Sequence, residues 1–119
     1  MAEVRFQLKH GLRLKDERLL DVVLREVRAG DVIDAQEESE KLIATPEGYQ
    51  LVPSPTLVSV HTLRRQIVSI GNVQGPLDLN VLKQLHPEDM NRLHEESEKL
   101  DAAADAEAVT KTVNKRGRA

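Results

Sequence analysis

The chain has no cysteine and no tryptophan, and Phe6 and Tyr49 are its only phenylalanine and tyrosine. Without cysteine there is no disulfide, no thiolate nucleophile, no Cys-ligated zinc and no iron–sulfur cluster. The scarcity of aromatics leaves the core to aliphatic side chains. A core of that kind built from 119 residues is small, so self-association or a partner is an expected source of stability. No apolar run approaches the roughly 20 residues of a membrane span. Residues 1–26 mix charged and apolar positions, so no secretory leader is expected. These absences predict a soluble cytoplasmic protein with one domain over 1–109 and a flexible basic tail over 110–119.

The formal net charge is only −3, but it is unevenly spread. Acids dominate from Glu88 to Glu107, whereas Lys111, Lys115, Arg116 and Arg118 supply every charge that follows. Such blocks mark a solvated helix followed by a tail.

Apolar residues alternate with polar ones through Val4, Phe6, Leu8, Leu12 and Leu14, and again through Leu20, Val22 and Leu24. That period predicts an antiparallel hairpin or meander over 3–25, with a polar turn at 15–18. From Val32 the spacing becomes helical, through Ala35, Ser39 and Leu42. Residues 44–55 hold three prolines and a glycine and predict a loop, with a short extended piece at 49–52. Leu57, Val60, Leu63, Ile67 and Ile70 fall three and four apart and predict one long buried helix, stopped by Gly71-Asn72. A short helix follows, opened by Asp78, and then a last one in which Pro87 takes the first turn. The expected fold class is therefore α+β: a small N-terminal antiparallel hairpin or meander followed by a mainly α-helical bundle.

The hexapeptide EESEKL occurs at 37–42 and again at 95–100. The match fails upstream, where Leu20 and Val22 would fall on Asp78 and Asn80, and a duplicated unit should carry its flanks. Reuse of one local recipe explains the repeat better than duplication. Both copies are expected as solvated helix faces, each with one leucine anchor, and their glutamates carry no chemistry.

No catalytic, cofactor-binding or metal-binding residues are expected. The four histidines, His10, His61, His86 and His94, lack metal-ligand spacing. No glycine-rich phosphate loop or nucleophile elbow occurs. DNA binding would rest on Arg64-Arg65 and the basic tail, with the helices at 56–70 and 77–85 in a helix-turn-helix-like order. The second of these helices offers one basic side chain, Lys83, and the acidic block would repel a duplex. Helix–helix association is better supported. Leu79, Leu82, Leu85, Met90, Leu93 and Leu100 are the candidate partner-binding positions, because together they exceed what one small sheet face hides. Each such side chain removed from water contributes about 1.5–3 kcal/mol.

Two stretches carry a resemblance. LREVRAGDVIDA (24–35) is similar to the strand-to-helix junction of the Mu-like phage tail assembly chaperone family. RRQIVSIGNVQGPLDLNVLKQLHPEDMNRL (64–93) resembles the second half of that family, including a Leu-x-Pro-Glu-Asp opening of the final helix. The likeness spans about 4–100. It departs from the family in the long proline-rich segment at 45–55 and in the basic tail. The resemblance implies a virion-assembly factor of contractile-tailed phages that works in the host bacterial cytoplasm and is missing from the mature virion. Such a factor binds the helical tape measure protein, keeps it soluble and helps recruit tail tube subunits. In many phages the frame also yields a longer, frameshifted product. The competing readings are a structural or adaptor protein retained in the virion and a small DNA-binding regulator.

Overall fold

The computed structural model describes the backbone of residues 2–117 and the side chains as far as Ala104. The basic tail expected over 110–119 therefore has its side chains outside the described residues.

Strands β1 (Glu3–Leu14) and β2 (Glu17–Arg25) form the expected N-terminal hairpin. Val4 lies opposite Leu24 and Phe6 opposite Val22, so the alternating apolar residues share one face. The ladder is interrupted between Gln7 and Leu12, where Gly11 takes a φ of 84°. A side chain there would meet Leu20 Cδ2 at 2.7 Å and the Leu19 carbonyl at 2.8 Å. Only glycine fits this bulge.

Beyond the hairpin the expected bundle does not form. The chain runs through helix α1 (Ala29–Ser39), strands β3 (Glu40–Thr45) and β4 (Gly48–Pro53), and helix α2 (Pro55–Gln66). Strands β5 (Ile67–Ile70) and β6 (Val73–Gln74), helix α3 (Leu79–Leu82) and helix α4 (Pro87–Gly117) follow. Strands β1-β2-β5-β6 make one antiparallel sheet, and β3-β4 make a second of two strands. The fold is a mixed α/β arrangement in which the helices pack on and beside a sheet.

Three expectations fail for identifiable reasons. The helix predicted over 56–70 ends at Gln66, because the β-branched run Ile67–Ile70 pairs with the open edge of β2, Val22 facing Ile70. Gly71-Asn72 then turns a β-hairpin rather than stopping a helix, with Gly71 at φ 57°. The sheet hairpin β5–β6 separates α2 from α3, which removes the helix-turn-helix likeness. The loop predicted over 44–55 is a hairpin, with its turn at Pro46-Glu47.

The core joins Leu8, Leu12, Val22 and Leu24 of the sheet to Leu63, Ile67, Ile70, Leu77, Leu82, Leu85 and Leu93. Helix α4 lies against β1 and β2. Its first turn is fixed by Asp89, 1% exposed, whose carboxylate accepts the backbone N–H groups of Lys9, His10 and Gly11 at 2.9, 3.1 and 2.8 Å. These are donors that the bulge takes out of the β ladder, so a side chain satisfies what the sheet cannot. Further along, Asp101 accepts the Val27 N–H at 3.1 Å and faces the Gln66 amide at 3.3 Å, while that amide also donates to the Arg25 carbonyl at 3.2 Å. These contacts tie α4 to the end of α2 and to the β2–α1 connector.

Candidate functional site

Helices α1 and α2 pack together and hold β3–β4 between them in sequence, so the hairpin projects from the helix pair. The Ser54 N–H donates to the Ser39 carbonyl at 3.2 Å and closes its base. Glu38 of α1 braces the pair. It meets Arg64 Nη2 at 2.6 Å and also contacts Arg65. Both arginine side chains are thus largely buried against a carboxylate. His61 sits in the same cluster, where Arg64 Nε donates to its Nδ1 at 3.0 Å. An Nδ1 that accepts cannot also donate to Glu38, although the two lie 3.2 Å apart. Burial, with the Arg64 charge beside it, lowers the His61 pKa below the usual histidine value. The ring is therefore neutral at physiological pH.

The hairpin has an apolar face. Opposed residues of an antiparallel pair point the same way, so Leu42 with Leu51 and Ala44 with Tyr49 share one side. Ile43 and Val52 lie on the other, interleaved with Lys41 and Gln50. Leu42 is 65% exposed, Leu51 64% and Tyr49 76%. Val32 and Ile33 of α1 are exposed as well. A two-stranded hairpin is only marginally stable in water without a cover, and among the described residues nothing covers this apolar face.

The residues expected to bind a partner lie elsewhere. Leu82, Leu85 and Leu93 are buried in the core, while Leu79, Met90 and Leu100 are half-buried. Leu42, expected to anchor a helix, stands on the strand face instead. The exposed patch was concealed in sequence by Pro46, Pro53 and Pro55. Its signal was the pair of short alternating runs, Leu42-Ile43-Ala44 and Tyr49-Gln50-Leu51, on either side of Pro46-Glu47-Gly48.

The fold also assembles side chains that no local spacing connected. His10, at the β1 bulge, stacks on His86 with ring centroids 3.7 Å apart and planes 13° from parallel. Glu88 Oε2 lies 3.7 Å from His10 Nε2 and 3.2 Å from Lys9 Nζ. Among the described residues, no helix is long and apolar enough to cross a membrane.

The described residues thus form a small mixed domain with an exposed apolar hairpin. Sequence comparison gives its family. The family model for tail assembly protein gp41 matches residues 8–118, and the chain belongs to that family. It is 36% identical over 109 residues to the Mu-like prophage FluMu protein gp41 of Haemophilus influenzae, covering 91% of this chain and 86% of that one. It is 42% identical over 104 residues to the probable tail assembly protein gp41 of Escherichia phage Mu, covering 84% of this chain and 72% of that one. A longer phage Mu protein, the probable tail assembly protein FS-gp41, matches at the same identity, and the match spans 55% of its length. No solved structure matches the chain. The recognition drawn from residues 24–35 and 64–93 thus holds at the level of the family, a family named for assembly rather than catalysis.

Proposed function

We propose that this chain serves phage tail assembly by binding the tape measure protein, with the apolar face of β3–β4 as the principal contact. The observation that supports this most is the outward array of Leu42, Tyr49 and Leu51. An unassembled tape measure helix exposes apolar stripes that aggregate. A hairpin laid on such a stripe shields it, and the acidic face of α4, with Glu88, Glu95 and Glu98 exposed, keeps the pair dispersed. Three large side chains going from water to contact give several kcal/mol at about 1.5–3 each. The cost of association removes much of that gain. The resulting affinity is modest, as suits a factor that tail tube subunits must displace. Leu79, Met90 and Leu100 can extend the contact, whereas Leu82, Leu85 and Leu93 already serve the core. The complex forms in the host bacterial cytoplasm, and the chain is left out of the finished virion.

Co-expression tests this reading. The unaltered chain should keep a phage tape measure protein soluble and co-purify with it. The triple substitution Leu42→Ser, Tyr49→Ser, Leu51→Ser should release it without unfolding the chain. No association with the unaltered chain sinks the proposal. Detection of the chain by mass spectrometry in purified particles would instead make it a virion component.

A further inference from the structure

The geometry points to a site for a divalent transition ion of the zinc type, formed by His10, His86 and Glu88. This inference goes beyond the tail assembly reading and does not depend on it. One ligand atom from each residue lies within 4.8 Å of the other two. Ligands around a tetrahedral zinc ion, with bonds of about 2.0–2.2 Å, stand roughly 3.3 Å apart. His10 Nε2 and Glu88 Oε2 are already at 3.7 Å. The remaining closure needs side-chain rotation at His86 and Glu88, both of them exposed.

Two further observations favour a ligand here. His10 Nε2 is shielded from solvent yet has no hydrogen-bond partner among the described residues. A shielded polar atom of that kind is costly unless something pairs with it. The backbone that carries the three side chains is also locked. Asp89 holds the amides of Lys9, His10 and Gly11 from the same turn that bears His86 and Glu88, so the two ligand-bearing segments cannot drift apart. Such support is what separates a built site from a chance cluster.

Two imidazoles and one carboxylate suit zinc, nickel or copper, whereas magnesium and calcium prefer all-oxygen sets. Three protein ligands leave a fourth position for water. Three local contacts must give way. The His10–His86 stack must open, because the in-plane lone pairs of rings only 13° from parallel do not converge on one ion. Lys9 must leave Glu88, which costs little for an exposed pair. His86 Nδ1 accepts the Glu88 N–H at 3.1 Å, which places the ring proton on Nε2. Capture of the ion costs that hydrogen bond by either route, since the ion takes Nδ1 or the ring proton moves there to free Nε2; the released N–H lies in the first helical turn and can turn to water.

The test is calorimetric titration of the full chain, carrying no polyhistidine tag, with zinc chloride at pH 7.5, and with magnesium chloride as the control. Zinc should bind one-to-one and magnesium should not. His10→Ala and His86→Ala should each weaken zinc binding at least tenfold, Glu88→Gln several-fold, and His94→Ala not at all. In ¹⁵N NMR of the unaltered chain, the ring nitrogens of His10 and His86 and the Glu88 amide should shift on adding zinc. That reading decides the matter even if a variant folds poorly. Absence of zinc binding, an equal response to magnesium, or shifts confined to other histidines would each overturn the site.

Discussion

Asp89 and Gly11 stand 78 residues apart in sequence, and Asp89 Oδ2 accepts the Gly11 N–H at 2.8 Å. The same carboxylate takes the two preceding amides, so one side chain serves three backbone donors in a row. Pro87 sets the first turn of α4 and thereby aims Asp89 at the bulge. The Pro-Glu-Asp stretch that carried the family likeness therefore acts as a lock between helix and sheet.

Replacing Asp89 should cost more than its single-residue size suggests. Asp89→Ala leaves three amides without an acceptor in a part-buried place, for a loss of about 3 kcal/mol or more. Asp89→Asn keeps one acceptor oxygen and should cost less. Urea denaturation gives both values. A loss below about 1 kcal/mol for the alanine variant would mean that water replaces the carboxylate freely.

Two glycines should respond oppositely to alanine. Gly11→Ala introduces a Cβ at 2.7–2.8 Å from Leu20 and Leu19, at a positive φ, and should destabilise by about 1–3 kcal/mol. Gly30 lies in α1 with nothing within 4 Å of its would-be Cβ. Gly30→Ala should stabilise by about 0.4–1 kcal/mol, because the unfolded chain loses freedom. Thermal melts of the two variants against the parent check both signs at once.

The two copies of EESEKL show why only part of this fold was legible. In the first copy Ser39 Oγ donates to the Gln36 carbonyl, and in the second Ser97 Oγ donates to the His94 carbonyl, so the helical halves agree. The first copy then leaves the helix at Glu40, since residues 40–45 find a partner strand at 48–53. The second copy, with Leu93 and Leu100 against the sheet, stays helical. Identical local preference yields different structures when the long-range partners differ. The N-terminal hairpin was readable because its period-two pattern and its partner lie within one stretch. The strand at 67–70 was not, because its reason for being a strand is the edge of β2. Nor does any local signal join His10 to His86, which meet only through the Asp89 lock.

Acid should weaken the fold in two stages. The His61 pKa is lowered in the folded chain by burial and by Arg64. The unfolded chain then takes up a proton near the ordinary value of about 6.5 that the folded chain refuses. Stability therefore falls as pH drops through that value toward the lower folded one. Asp31 is also lowered, chiefly by hydrogen bonding to Arg25, which grips it through two bonds of 2.8 Å. Its contribution is present above the unfolded carboxylate range and is lost as pH falls below about 4. Urea midpoints from pH 7.5 to 3 should show both declines. Asp31→Asn should flatten the lower stage while leaving the upper one in place. A flat profile between pH 7 and 5.5 would contradict the assignment to His61.

Leu93 and Leu51 test where the chain spends its apolar surface. Leu93 is 0% exposed, at the centre of the contact between α4 and the sheet. Leu93→Ala should cost about 2–5 kcal/mol, from lost transfer energy and the cavity left behind. Leu51 is 64% exposed on the hairpin. Leu51→Ser should move stability by no more than about 0.5 kcal/mol, as surface substitutions do. If Leu51→Ser instead lowered the melting temperature as far as Leu93→Ala, the hairpin face would be packed against something within the chain or against a second copy. Repeating the melts over a hundredfold range of protein concentration separates those cases, because only association makes the midpoint depend on concentration. A midpoint that is independent of concentration, together with a silent Leu51→Ser, leaves the hairpin face free for a different protein.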